Sequence, residues 1–505
     1  MSSVPTGNAV LPARSGGYAP AQSDLRWAAG SLPAPESLAR WPLVDIAVLT
    51  GAWLSIFVST ILYTGYGALA AFSVFAALAI LRRSENGLVL LMMIRFSSVL
   101  GMTALPIFKI LFPIVLFRAM FDGRFQEAVR HLFRPATLLA MLFTILTFLS
   151  LVITPNRSLG LRNAMDYLEA LMFVLAVLVL ADRLDSVGLI LKAAAVLAAA
   201  SLIVGLIQYT YRDAVWLTRV AELRETYTLG GVHYQGSLQN IHKDINRSRL
   251  LPLTIAPNYW GMSLMFPLGV AIGLLGASRT NLNKAFWGVA SGMILIAILG
   301  TMSRGSYVAA AFLGLVLLAR MRGRGTLPLI LFGLLLVILL SSWGVLAERV
   351  VGMRENLEQE GGSGRFGLWL QTLRYWLRSI LWGHGIGSVL HAIGMVTHNT
   401  YFQILAELGL LGFVVYVWIL VLAFRGLVRA SRAARVAGDR RGRWLFEGCL
   451  AGLAGMSAGI GTVSVMDAKF VWFAVFGCLI LSTQYRHALY EQTDLAYGYG
   501  DGALA

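Results

Sequence analysis

Charge is what this sequence has least of. Asp, Glu, Lys and Arg together make up 13% of the 505 residues, about half the share of an ordinary soluble domain. Hydrophobic residues reach 57% and mean hydropathy is +0.71, which excludes a conventional soluble enzyme. Lysine is scarcer still. Only Lys109, Lys192, Lys243, Lys284 and Lys469 stand among 41 basic residues, so the basic population is almost wholly arginine. The two cysteines, Cys449 and Cys478, both lie in apolar runs, which excludes a disulfide framework and a cysteine metal site. The histidines His384, His391 and His398 recur at intervals of seven. No Asp-x-Asp element accompanies them in the polar segments, so neither a metal nor a cofactor is expected. A formal charge of +16 would suggest nucleic acid for a soluble chain, but not for one whose residues lie mostly in lipid. The first 42 residues are rich in Ala, Pro, Ser and Gly and lack a short basic start leading into an apolar core, so they read as a flexible cytoplasmic tail and not a cleaved signal.

What is present is a succession of apolar runs. At about 20 residues per crossing, spans fall near 43–60, 64–81, 87–103, 105–120, 135–154, 165–181 and 187–208. Others follow near 257–276, 285–302, 304–320, 326–343, 400–424, 445–464 and 469–484. The expected fold is an all-α polytopic membrane protein of about 12–14 transmembrane helices. The count is least secure early, where Arg95 and Lys109 interrupt two candidates. The chain divides into a tail (1–42), N-terminal helices (43–208), a first long outer segment (209–256), central helices (257–343), an outer loop (344–399), C-terminal helices (400–484) and a second tail (485–505).

Arginines in short loops set the orientation. Arg82 and Arg83, then Arg118, Arg124, Arg130 and Arg134, then Arg320, Arg322 and Arg324, and finally Arg425 through Arg443 all fall on one side. That side reads as the cytoplasm, with both termini in it. The two long polar segments then face outward, and chemistry is expected there.

In the second outer loop, Arg365 to Leu381 reads as an interfacial helix. Phe366, Trp369, Leu370, Leu373, Trp376, Leu377 and Ile380 form one face, opposite Gln371, Arg374 and Arg378. Arginine matches phosphate oxygens bidentately, so these cations suit a lipid diphosphate. After a Gly383-x-Gly385-x-Gly387 run, His398 stands where the loop re-enters the membrane, a natural proton acceptor at neutral pH. Glu407 follows nine residues on, about 13.5 Å deeper along a helix. It is an intramembrane carboxylate and so a functional candidate, and Gly409 and Gly412 read as permitting close helix contact.

These residues resemble the O-antigen ligase/polymerase superfamily of bacterial membrane glycosyltransferases. The stretch His398-Asn399-Thr400-Tyr401 with Glu407, Gly409 and Gly412 is similar to its hallmark. Thr301-Met302-Ser303-Arg304-Gly305 resembles its Ser-Arg-Gly element, and Arg249 followed by Pro257-Asn258 resembles its upstream element. Arg365 with Trp369 and the glycine run resembles the loop before the catalytic histidine. The likeness covers about residues 245–425, with four motifs in order.

The resemblance implies a C-type glycosyltransferase-like fold with a helical outer loop before the third-last span, in the bacterial inner membrane with a periplasmic active site. It implies metal-independent, inverting transfer of a glycan from an undecaprenyl-diphosphate carrier to a hydroxyl of an acceptor glycan or lipid A core. His398, Arg304 and Arg249 are then catalytic. Arg365, Arg374 and Arg378 bind diphosphate, and Glu407, Asn399, Tyr401 and Asn258 support them. No residue decides ligase against polymerase. The ordinary context of His398 and the lack of a specialised acceptor domain lean toward polymerase of O-antigen or exopolysaccharide. The alternative from another class is a transporter or flippase of lipid-linked glycans. It predicts an internal repeat, and neither the His398 nor the Arg304 segment recurs in the first half.

Overall fold

The computed structural model describes residues 43–62, 65–96, 107–122, 133–181, 184–210, 250, 257–320, 365–465 and 468–496. Among these every regular element is helical: α1 (Leu43–Leu62), α2 (Gly65–Arg82), α3 (Ser84–Phe96), α4 (Ile107–Phe121), α5 (Pro135–Leu149), α6 (Arg157–Leu180), α7 (Leu184–Thr210), α8 (Pro257–Ser263), α9 (Met265–Ala277), α10 (Asn281–Gly300), α11 (Arg304–Arg320), α12 (Arg365–Trp376), α13 (Ser388–Ile393), α14 (Thr400–Val436), α15 (Arg440–Gly459) and α16 (Lys469–Ala496). Six stretches, Pro135–Val152, Arg157–Leu180, Leu184–Ile207, Pro257–Ala277, Asn281–Gly300 and Thr400–Val436, are long and apolar enough to cross a bilayer. The chain is a multi-pass helical membrane protein. The interrupted early candidates are short helices of 13 and 15 residues, and the span expected near 326–343 lies outside the described residues.

The surface is apolar where a soluble protein would be polar. Large side chains such as Val74, Ile145, Val289 and Val414 are about half exposed or more, as lipid-facing positions require. With lipid as solvent, helices gain little from hiding leucine and associate through close backbone packing. In α9, Gly269 and Gly273 face Gly448 and Gly452 of α15, and a Cβ on Gly269 would stand 2.6 Å from the Gly452 Cα. Both helices thus present a glycine pair four residues apart, and their backbones touch.

Several charges inside the bundle are paired. Arg320 at the end of α11 meets Glu447 of α15 at 2.8 Å, and Ser431 of α14 donates to the same carboxylate at 2.6 Å. Lys469 and Glu169, both buried, stand 3.4 Å apart between α16 and α6. Asp45 of α1 accepts from Arg82 of α2 at 2.6 Å, which ties the start of one helix to the end of the next.

Candidate functional site

His398 is held by hydrogen bonds on both of its neighbours. Asn399 is the N-cap of α14, its side-chain oxygen accepting from the N–H groups of Tyr401 (3.0 Å) and Phe402 (3.2 Å), which satisfies donors a helix start otherwise leaves open. Thr397 Oγ1 donates to the Asn399 carbonyl at 2.7 Å, and Trp369 of α12 donates to the Thr397 carbonyl at 3.0 Å. Thr400 anchors the first turn to the chain after α15, and Tyr401 anchors it to the last turn of α15. Thr400 Oγ1 donates to the Val463 carbonyl and accepts from the Val465 N–H, and Tyr401 donates to the Ser457 carbonyl. Asn399 and Tyr401, expected as supporting residues, therefore fix the backbone around His398.

Among the described residues only two non-glycine residues have positive φ, His398 at 51° and Met302 at 45°. Such positions carry about 1–3 kcal/mol of strain and concentrate at functional sites. Here both fall in motifs singled out from the sequence, each just before a helix. Met302 leads into Ser303, whose Oγ accepts from the Ser306 N–H at 3.3 Å and so starts α11 with Arg304 at its first position.

His398 opens onto a cavity of about 280 Å³ lined also by Asn258, Asn163, Asp166, Gln403 and Glu407. The expected pair His398 and Glu407 thus share one space, one at its mouth and the other fully buried. Gln403 Nε2 donates to Glu407 Oε1 at 3.2 Å. Gln403 Oε1 and Glu407 Oε2 complete no hydrogen bond among the described residues, although the N–H groups of Gly387 and Val389 face the carboxylate. Asn163 and Asp166 were missed in the sequence. The signal was a polar pair about two turns into a helix that starts at Arg157, with Asn163 just before and Asp166 at the start of the span expected over 165–181.

The floor of the cavity is built around a break in α14. Gly409 has φ 67° and ψ −169° inside an otherwise helical run, so the carbonyls of Ala406 and Glu407 lose their helical partners. The loop after α12 supplies replacements. The N–H groups of His384 and Gly385 donate to those carbonyls at 3.0 and 2.9 Å, and Leu410 N–H donates to the Ile380 carbonyl at 2.9 Å. Broken helices at membrane depth require such internal satisfaction. Gly409 is therefore a break point and not a helix-contact residue, and the Gly383–Gly387 run lies against it. The helix expected over 365–381 ends at Trp376, because the next residues turn to make these bonds.

The arginines divide. Arg365 Nη1 donates to the Thr462 carbonyl at 3.3 Å, while Gly305, next to Arg304, packs directly on the Thr462 side chain. Thr462 is thus a common neighbour of both motifs, just ahead of the segment that anchors α14. Burial, and secondarily the positive charge of Arg365, hold the His398 imidazole below its usual pKa near 6.5. None of Arg304, Arg365, Arg374 and Arg378 lines the cavity, and all four are exposed; what separates them is that Arg304 and Arg365 neighbour Thr462. Arg249 lies outside the described residues. Its neighbour Leu250 donates to the Gly300 carbonyl at 2.8 Å, at the end of α10 just before the Arg304 turn. His384 stacks on Tyr375 at 3.9 Å and His391 is exposed. No group of three His, Cys, Asp or Glu side chains able to hold a metal occurs among the described residues.

Compared with known proteins, residues 289–417 match a family model described as O-antigen ligase. The match runs from within α10 into α14. It includes Arg304, Arg365, Arg374, Arg378, His398, Asn399, Tyr401 and Glu407, and it leaves Arg249, Asn258 and Asp166 before it. No curated protein matches the chain.

Proposed function

We propose, on the premise that the chain belongs to the O-antigen ligase/polymerase superfamily, that it transfers a glycan from an undecaprenyl-diphosphate carrier to an acceptor hydroxyl at the periplasmic face of the inner membrane. The observation that carries this reading is the cavity itself. A half-buried histidine, whose neutral form burial favours, lines it together with Asn163, Asp166, Asn258, Gln403 and Glu407, and Arg365 lies close enough to act on the imidazole.

The step needs little else. The acceptor oxygen attacks the anomeric carbon and its proton passes to the His398 imidazole. The bond from that carbon to the diphosphate oxygen breaks, and the electron pair leaves with the diphosphate. A diphosphate is already a good leaving group, so cations that stabilise its growing charge replace an acid. Arg304 and Arg365 fit that role beside Thr462, with Arg249 a third candidate and Arg374 and Arg378 suited to the carrier's approach. One displacement inverts the anomeric carbon, and no step calls for a metal. The Gln403 Oε1, which completes no hydrogen bond among the described residues, is an acceptor for an O–H donor, which suits a sugar hydroxyl of the acceptor. The reading leans to polymerisation of repeat units over ligation to lipid A core.

The test is purified protein in liposomes with a defined polyprenyl-diphosphate glycan, chelator present, and neither nucleotide nor ion gradient. Longer or transferred glycan is expected. His398→Ala should lose turnover while still binding carrier, and Arg304→Ala should lose carrier binding. Carrier movement across the vesicle with no glycan product under any acceptor would establish the flippase alternative. Repeat units and lipid A core offered separately distinguish polymerase from ligase.

A further inference from the structure

A second cavity lies beside the second half of α14, around Leu422 to Arg429, about 38 Å along the helix from Thr400 to Arg425 at 1.5 Å per residue. Its volume is about 490 Å³, and Arg134, Arg425, Arg429 and Arg486 all line it. These come from the start of α5, one face of α14 and the last third of α16. No acidic side chain is among the lining residues. Four like charges from three helices gather on one space, which raises the local positive potential and favours an anion there.

Three further features point to the same ligand. The α5 N-terminus opens here uncapped: Arg134 makes no side-chain cap bond and Pro135 follows at the first position, so the helix directs its positive end into the cavity. Thr137, one turn in, is 1% exposed, and its hydroxyl has no hydrogen-bond partner among the described residues. Beside Ser482 and Thr483, the rest of the lining is mostly apolar, with Leu178, Leu422, Phe476, Leu479 and Ile480 in it.

We propose that this cavity binds the phosphate headgroup of an anionic phospholipid, the guanidinium groups and the α5 N-terminus taking the phosphate while the apolar wall takes the top of an acyl chain. The apolar wall favours a lipid over free phosphate, which shares the charge but leaves that surface uncovered. Basic pockets between helices at a membrane boundary suit such headgroups. The site is independent of the chemistry at His398, just before the start of the same helix.

Native mass spectrometry of the full chain tests this, with phosphatidylglycerol or cardiolipin competing against phosphatidylcholine, and with inorganic phosphate as a separate arm. Retained anionic lipid is expected, with the double variant Arg425→Gln/Arg429→Gln weakening its affinity by about thirtyfold, from about a fivefold factor per arginine. Thr137→Val, which keeps shape, should weaken binding less and serves if the double variant does not fold. Equal retention of anionic and neutral lipid, or an anionic preference unchanged in folded variants, overturns the proposal. Saturation by millimolar inorganic phosphate without any lipid preference also overturns it, in favour of a free-phosphate site.

Discussion

Replacing Gly409 by alanine should do far more damage than a methyl group ordinarily does in a helix. Its φ of 67° with ψ of −169° lies in a region open essentially to glycine alone, costing about 1–3 kcal/mol for any other residue. The new Cβ would also meet the Leu381 carbonyl and stand 2.5 Å from the Gly383 nitrogen. Both are backbone atoms fixed by their own hydrogen bonds, so the overlap adds about another 1–3 kcal/mol. The total, about 2–6 kcal/mol, is enough to release the loop from α14. Gly394 supplies the control: its φ of 76° is similarly unfavourable, but nothing lies within 4 Å of its would-be Cβ, so Gly394→Ala should cost only about 1–2 kcal/mol. Thermal unfolding of both variants in nanodiscs, with glycan transfer measured alongside, gives the comparison. Equal stability of Gly409→Ala and Gly394→Ala would refute the close-approach argument.

Other outcomes are equally definite. The acid limb of the pH–rate profile should lie below 6.5, because the neutral imidazole of His398 is favoured by burial and by Arg365. Arg365→Gln should move that limb upward but not past 6.5, since burial, the larger cause, remains, and a limb that stays or falls would exclude Arg365 as its neighbour. Asn399→Ala should cost about 0.5–2 kcal/mol in stability through the lost cap and a larger factor in kcat than in KM, which steady-state kinetics separates. Lys469→Met leaves Glu169 charged in the bundle and should cost about 3–5 kcal/mol, mostly recovered in Lys469→Met/Glu169→Leu. If the double variant unfolds as readily as the single one, the 3.4 Å pair is not what holds α6 to α16.

The fold class was legible because a bilayer demands long apolar runs and little else. That His398 and Glu407 would lie near one another was legible because polar residues at helix starts or within apolar runs stand out, and both line one cavity. What escaped were facts of assembly. The break at Gly409 looks, in sequence, like any glycine in a helix, since its cause is a loop that arrives from 25 residues earlier. Asn163 and Asp166 carry no motif, and only the packing of α6 against the glycine loop brings them to His398. Arg134, Arg425 and Arg429 did read as boundary arginines, but a one-dimensional pattern does not reveal that they share a cavity.

The nine residues from Thr400 to Leu408 are tied at both ends, to the turn after α15 and to the glycine loop. His398 and Glu407 thus sit on a segment braced against the rest of the bundle, so under the proposed reaction the substrates and not this segment would do the moving. On warming, catalysis should persist undiminished until the helices themselves melt, and then vanish with them in one transition.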